Sequence, residues 1–438
     1  MSERKRLLDT PEFLDLVRRA WMAPLPRTVV EEAPLPMGYD VEEVWEALVC
    51  LRRAQGYCSP HNLRTALEPV ADWHNVTEQL HRTLFELDRK TRQGSLLDEL
   101  ARARDGRTFV TQQYIEEVIC NLRFDGYELE YEDARAVLLD ERPAATDAER
   151  IAVNFHLIMR RLPALVDARP FDGDTLVSFY EQLTEGVEGS GPLTSSCVEA
   201  HRLPRSPLEE HYVAVADLAS IDHASLQMPI DVANGLGSEP PRHPIMASML
   251  VNCQFWRAPL FPTCNNLMGC IASRFYLAGE GYPVFRFVPK IRILEKWKQG
   301  GYAGAAAFTY EEALAEVGRS RDWTFYYDTV LSLMLREVGA MEQALARRAA
   351  RDDEALEAVE RIPYLAHRQR EVLRQAVLVP GAEFTIAEQK ARYGVVYSTA
   401  RADLESLVER GLLERVQRGQ AYIYKAASTL RENLTASV

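Results

Sequence analysis

The chain has 438 residues and carries 51 Lys and Arg against 64 Asp and Glu, a formal net charge of −13. A hydrophobic fraction of 47% supports packed cores and 26% charged residues is ordinary for a globular protein, which excludes a disordered or low-complexity chain. The acidity excludes wrapping nucleic acid over the whole surface, so any nucleic-acid contact has to be local. Seven cysteines (Cys50, Cys58, Cys120, Cys197, Cys253, Cys264, Cys270) are scattered without a C-x-x-C pair, which fits free thiols in a reducing compartment and gives no metal-site spacing. No apolar signal core follows the N-terminus and no stretch approaches about 18 apolar residues, so a cytoplasmic protein without a membrane span is expected.

Residues 1–40 hold a short amphipathic stretch around Phe13, Leu14, Leu16 and Val17, after which Pro24, Pro26, Pro34 and Pro36 interrupt any helix. From Asp40, placed as an N-cap, the apolar spacing is helical: Val41, Val44, Trp45, Leu48 and Val49 fall at i, i+3, i+4, i+7 and i+8. The same spacing predicts helices around Leu80–Leu87, Ile115–Leu122, Ile151–Met159 and Leu331–Val338. Strand signals before residue 380 are confined to Ser196–Leu203 and Tyr282–Val288, which together predict one small hairpin in a mainly helical body. A charged helix, Met341–Val359, reads as a connector with a solvated face. Beyond it, helices over His367–Val377, Phe384–Tyr393 and Ser398–Arg410 precede two short strands, Leu412–Val416 and Ala421–Tyr424, around Arg418-Gly419-Gln420. Helix, helix, helix, hairpin is the order of a winged helix-turn-helix.

No P-loop, H-E-x-x-H, nucleophile elbow or dinucleotide fingerprint is present. Four separated stretches nevertheless share an order and spacing. They are Leu80–Arg89 (LHRTLFELDR), Tyr114–Gly126 (YIEEVICNLRFDG), Thr146–Phe155 (TDAERIAVNF) and Asp322–Tyr326 (DWTFY). Between the last two lies His243–Pro283, with His243-Pro244 at its front and Gly281-Tyr282-Pro283 at its rear. Taken together, residues 40–345 resemble the Fic family, whose members transfer AMP from ATP to hydroxyl side chains of target proteins.

The resemblance fixes a register through the family motif HPFxDGNGRxxR, and at most of its positions this chain departs. Pro259 stands where the general base, a histidine, is expected, and proline has no titratable group. Thr263 replaces the Asp that helps hold Mg²⁺, Cys264 and Asn266 replace the two glycines that admit phosphates, and Leu267 and Cys270 replace the two arginines. Phe261 and Asn265 keep the motif residue. Asp125 takes the place of the inhibitory Glu and faces Leu267, so it has nothing to restrain, and Asp125-Gly126 reads as a helix-end turn. Cys264, just before a helix beginning near Asn265, is a candidate nucleophile on the alternative reading of a repurposed pocket, with Asn265 and Asn266 as hydrogen-bond donors.

In the C-terminal part, Tyr397–Leu404 followed by Leu407 and Gly411-Leu412-Leu413 resembles the recognition helix of winged-helix domains found at the C-terminus of Fic proteins. Leu404, Leu407 and Val408 face its core. Tyr397, Ser398, Thr399 and Arg401 are left for the major groove, and Arg418 and Gln420 for phosphate or minor-groove contact, with Arg415 beside them. Between Phe384 and Tyr424 six basic residues meet five acidic ones, 6 − 5 = +1, so the winged helix is nearly neutral.

The expected architecture is mainly α. It comprises an N-terminal segment (1–40), a Fic N-terminal helical region (41–160), a Fic-like core (161–345), a helical connector (346–361) and a winged helix-turn-helix of α+β type (362–430). The expected function is that of a bacterial-type pseudoenzyme, a homodimeric regulator binding a protein partner and DNA, without cofactor or metal and without membrane attachment.

Overall fold

A computed structural model describes residues 6–58, 73–103, 112–139, 141–188, 226–235, 241–257, 260–379, 381–418 and 421–436. The strand expected at Ser196–Leu203 lies outside them, as do Pro259 and Gln420. The chain is mainly α-helical and divides into two compact units, one drawn from residues up to 340 and the other mainly residues 341–438. Among the described residues no helix is long and apolar enough to cross a membrane.

The first unit starts with α1 (Pro11–Met22), α2 (Arg27–Glu32) and α3 (Val41–Ala54). Their apolar faces close a local core of Phe13, Leu16, Val30, Val44, Trp45 and Leu48. Asp40 caps α3 through a reciprocal box: its carboxylate accepts from the Glu43 amide at 2.9 Å and Glu43 accepts from the Asp40 amide at 3.1 Å. The small hairpin expected in this body exists elsewhere, as β1 (Tyr57–Cys58) paired antiparallel with β2 (Trp73–His74). There follow α4 (Glu78–Thr91), α5 (Leu96–Ala103), α6 (Gln112–Phe124), α7 (Tyr131–Leu138), α8 (Asp147–Val166) and α9 (Gly173–Leu183). Side-chain caps from Thr77, Thr146 and Asp172 start α4, α8 and α9.

Next come α10 (Gln227–Ala233), α11 (Pro244–Arg257) and α12 (Asn265–Gly279). The last two pack closely because Gly269 has no side chain: a Cβ there would lie 2.7 Å from Asn252 Nδ2 and 3.1 Å from Phe255 Cβ. The segment predicted as a strand, Tyr282–Val288, is instead a 3₁₀ turn over Pro283–Arg286. Pro283 fixes φ at the turn's first position, and the Phe285 and Phe287 amides bond locally to Tyr282 and Val284 carbonyls, so the amides a ladder would need are already used. After α13 (Lys290–Lys298) and α14 (Tyr310–Ser320), α15 runs unbroken from Thr324 to Arg361. The separate charged helix expected at Met341–Val359 is the second part of α15. Its face is not wholly solvated, since Ala355, Ala358 and Val359 are buried in the core of the second unit.

The second unit continues with α16 (His367–Leu378), β3 (Glu383–Phe384), α17 (Ile386–Tyr393), α18 (Tyr397–Glu409), β4 (Leu413–Arg418), β5 (Ala421–Ala426) and α19 (Leu430–Ala436). The helix expected from Phe384 therefore begins two residues later. Thr385 caps it with Glu388, and Phe384 pairs with Tyr424 to give a three-stranded sheet in the order β3-β5-β4. Leu373, Phe384, Ala400, Leu404, Leu407, Leu412 and Tyr424 form its core.

Candidate functional site

The segment singled out by sequence is the loop joining α11 to α12 with the first turns of α12. The described motif positions in it are buried: Phe261 0%, Thr263 8%, Cys264 2%, Asn265 1%, Asn266 0%, Leu267 0% and Cys270 1% exposed. Asn265 folds the loop onto its helix. Its Oδ1 accepts from the Leu260 and Phe261 amides at 2.8 and 3.0 Å, and its Nδ2 donates to the Phe261 carbonyl at 2.7 Å. Phe261 stacks on Tyr180 with ring centroids 4.7 Å apart, and the Tyr180 hydroxyl lies 3.2 Å from Thr263 Oγ1. Cys264, the N-cap of α12, has φ 58°, a left-handed conformation that glycine adopts readily and other residues at a cost of order 1 kcal/mol.

The amides at the start of α12 point their positive end out of the helix. Asp125, just past the end of α6, fills that position. Its Oδ1 accepts from the Asn266 amide at 2.9 Å and its Oδ2 from the Leu267 amide at 2.8 Å. Gly126 makes the turn, with φ 82°, while the Tyr127 amide bonds back to Leu122 at 2.9 Å. The helix-end turn expected at Asp125-Gly126 is present, and the expected facing of Asp125 toward the Leu267 side chain is corrected: it faces the amide of Leu267. One turn earlier on α6, Asn121 Oδ1 accepts from Asn266 Nδ2 at 3.1 Å and from the Cys270 thiol at 2.8 Å. Asn121 and Asp125 share a helix face at i, i+4 and close together over α12.

Beneath this layer Glu117, 3% exposed, accepts from Arg274 at 2.8 Å and from the Arg292 amide at 2.9 Å. Lys290 donates to Asn252 at 2.6 Å, and burial pulls its ammonium down to about 8. Neither Glu117 nor Lys290 was singled out by sequence. The pattern of one acid and one base on helices far apart in the chain carries no local signal.

This environment opposes activation of Cys264. Burial, then the charge of Asp125, pushes its thiol well above the ordinary cysteine range, with Thr263 and Tyr127 offsetting part of the effect. A helix N-terminus lowers a thiol pKa when its dipole is unopposed, and here a carboxylate opposes it. The donors expected of Asn265 and Asn266 are engaged with Phe261 and Asn121. The residues also do not suit Mg²⁺, because Thr263 is neutral and both oxygens of Asp125 hold amides. No group of three His, Cys, Asp or Glu among the described residues is placed to hold a metal.

In the second unit the predicted residues lie outward. Tyr397 is 55% exposed, Ser398 and Arg401 are exposed, and Thr399 is half-buried, while Leu404 and Leu407 face the core. Arg418 is exposed and pairs with Glu383 at 3.3 Å. Arg415 pairs with Glu405 at 2.8 Å and lies 4.7 Å from the Tyr422 ring centroid, and Tyr424 also donates to Glu405 at 2.9 Å.

No family model matches the sequence, and no curated protein matches it. Among solved structures, the chain is similar to a Fic family protein from Desulfovibrio desulfuricans G20, at 14% identity and a TM-score of 0.41, covering 81% of this chain and 98% of that one.

Proposed function

We propose that the protein is a catalytically silent Fic-type helical scaffold joined to a C-terminal winged helix, and that it acts by binding. The observation that carries this reading is the Asp125 carboxylate on the Asn266 and Leu267 amides, where the family register places a phosphate of ATP. An internal carboxylate competes with any bound phosphate for the same donors, and no arginine at Leu267 or Cys270 is there to offset the charge. The helical body is then the protein-interaction part, with a homodimer the expected assembly.

The C-terminal unit supports local DNA contact. Its order of helices and strands, with an outward N-terminal turn on α18, is that of winged-helix domains, and Tyr397, Ser398, Thr399 and Arg401 are offered to bases or phosphates. The neighbouring cations Arg415 and Arg418 are already paired, so affinity is modest and salt-sensitive.

Intact-mass measurement after incubation with ATP, Mg²⁺ and candidate targets tests the first part. No nucleotide adduct is expected, and an adduct on a target that depends on this protein overturns it. Fluorescence anisotropy with genomic DNA fragments at two salt concentrations tests the second: saturable, salt-sensitive binding is expected, and none at low salt overturns it.

A further inference from the structure

The start of α11 and the end of α12 meet on α4, at a cluster remote in sequence from Cys264. His243 caps α11 with Nδ1 3.2 Å from the Ile245 amide, and places Nε2 3.2 Å from Asp88 Oδ1. A backbone amide only donates, so Nδ1 is the unprotonated acceptor and the ring hydrogen sits on Nε2, directed at Asp88. The Tyr282 hydroxyl donates to the same Asp88 oxygen. Arg92 donates to the Tyr282 hydroxyl at 3.1 Å and reaches Asp88 Oδ2 at 3.4 Å, and the Gln93 amide donates to the Gly281 carbonyl at 2.9 Å. One carboxylate on α4 thus holds both the first residue before α11 and the turn that ends α12.

We propose that His243 is a pH-responsive clasp on the first turn of α11: a proton taken up at Nδ1 removes the acceptor of the Ile245 amide and loosens that turn, while Nε2 stays bonded to Asp88 on α4.

The charges around the ring decide where this happens. Among the described residues Asp88 attracts an imidazolium, while His81 on α4 and Arg92 just past its end repel it. The N-terminal dipole of α11 repels it as well. Tyr282, from the turn, binds Asp88 as a neutral hydroxyl, its own ionisation pushed up chiefly by burial. Burial is the largest influence on His243, and the net result is a ring less basic than a free histidine. Because the folded chain then binds this proton less tightly than the unfolded one, the clasp is fully closed above about pH 6.5 and loosens as pH falls below it.

Hydrogen exchange read by mass spectrometry on the full chain tests the clasp, with intrinsic rates corrected, at about pH 7.5 and about pH 5.5. Peptides from 244–257 should lose protection roughly tenfold at the lower pH, whereas His243→Asn, whose side-chain oxygen accepts the same amide without titrating, should keep it. Equal protection at both pH values in the native chain, or the same loss in His243→Asn, overturns the proposal. If the variant does not fold, the ring nitrogen shifts of His243 in the native chain decide. A hydrogen on Nε2 and a transition below about pH 6.5 support the clasp, and a hydrogen on Nδ1 or no transition overturns it.

Discussion

The loop at the start of α12 and the first turn of α18 are both helix beginnings rich in small polar residues, and they use those residues in opposite directions. At α12 the groups turn inward: Asn265 binds its own loop, Asn266 binds Asn121, and the free amides bind Asp125. At α18 no side chain caps the helix, and Tyr397, Ser398 and Arg401 stand in solvent. A polar helix start is therefore not itself a binding site. What matters is whether another part of the same chain has already taken its donors.

The sharpest way to break this contrast is to remove the carboxylate from α12. Asp125→Ala leaves two buried amides without acceptors and should lower unfolding free energy by about 2–4 kcal/mol, measured by urea denaturation. Asp125→Asn, which keeps one acceptor oxygen, should lose less. Equal stability of wild type and Asp125→Ala would show that water replaces the carboxylate and that the inward side is not closed.

On the outward side, Arg401→Ala should weaken DNA binding roughly tenfold with no change in thermal midpoint, because the side chain is exposed. Tyr397→Ala should do the same to a smaller degree. A stability loss without an affinity loss would move α18 to the inward class.

A smaller effect concerns Asp328, whose carboxyl is pushed up to about 6 by burial, with Gln79 opposing at 2.8 Å. The folded chain binds this proton more tightly than the unfolded chain, so the contribution is fully present below about pH 4 and is lost as pH rises through about 6. Asp328→Asn should raise stability at neutral pH by about 1–2 kcal/mol and flatten the profile over that window in thermal melts at several pH values. The smallest effect is expected at Cys264: iodoacetamide should leave its thiol unlabelled in the native protein and label it on unfolding.

Local physics made α3, α4, α6, α8 and α16 to α18 legible, while α5, α7, α9, α13 and α14 were not read from the sequence. α3 shows it best, where apolar spacing of three and four residues follows a capping Asp40. The second unit was legible too, because Gly394 and Gly411, at φ 63° and 70°, mark ends of helices whose apolar faces are clear in sequence. Tyr282–Val288 misled because Tyr282, Val284 and Val288 fall at even spacing, yet Pro283 and two local amide bonds make a turn of it. The closure over α12 was illegible for a different reason. Asp125 and Asn266 are 141 residues apart, and nothing at either position reports the other until the fold brings them together.

That separation bears on the order in which the chain folds. The contacts of Asn121 and Asp125 with α12 span 141 to 149 residues, and closing so long a loop costs entropy before any of these hydrogen bonds forms. They should therefore form after the rate-limiting step. Replacing Asp125 should then speed unfolding while leaving the folding rate nearly unchanged, so that the carboxylate acts as a late latch on the finished fold and not as part of its nucleus.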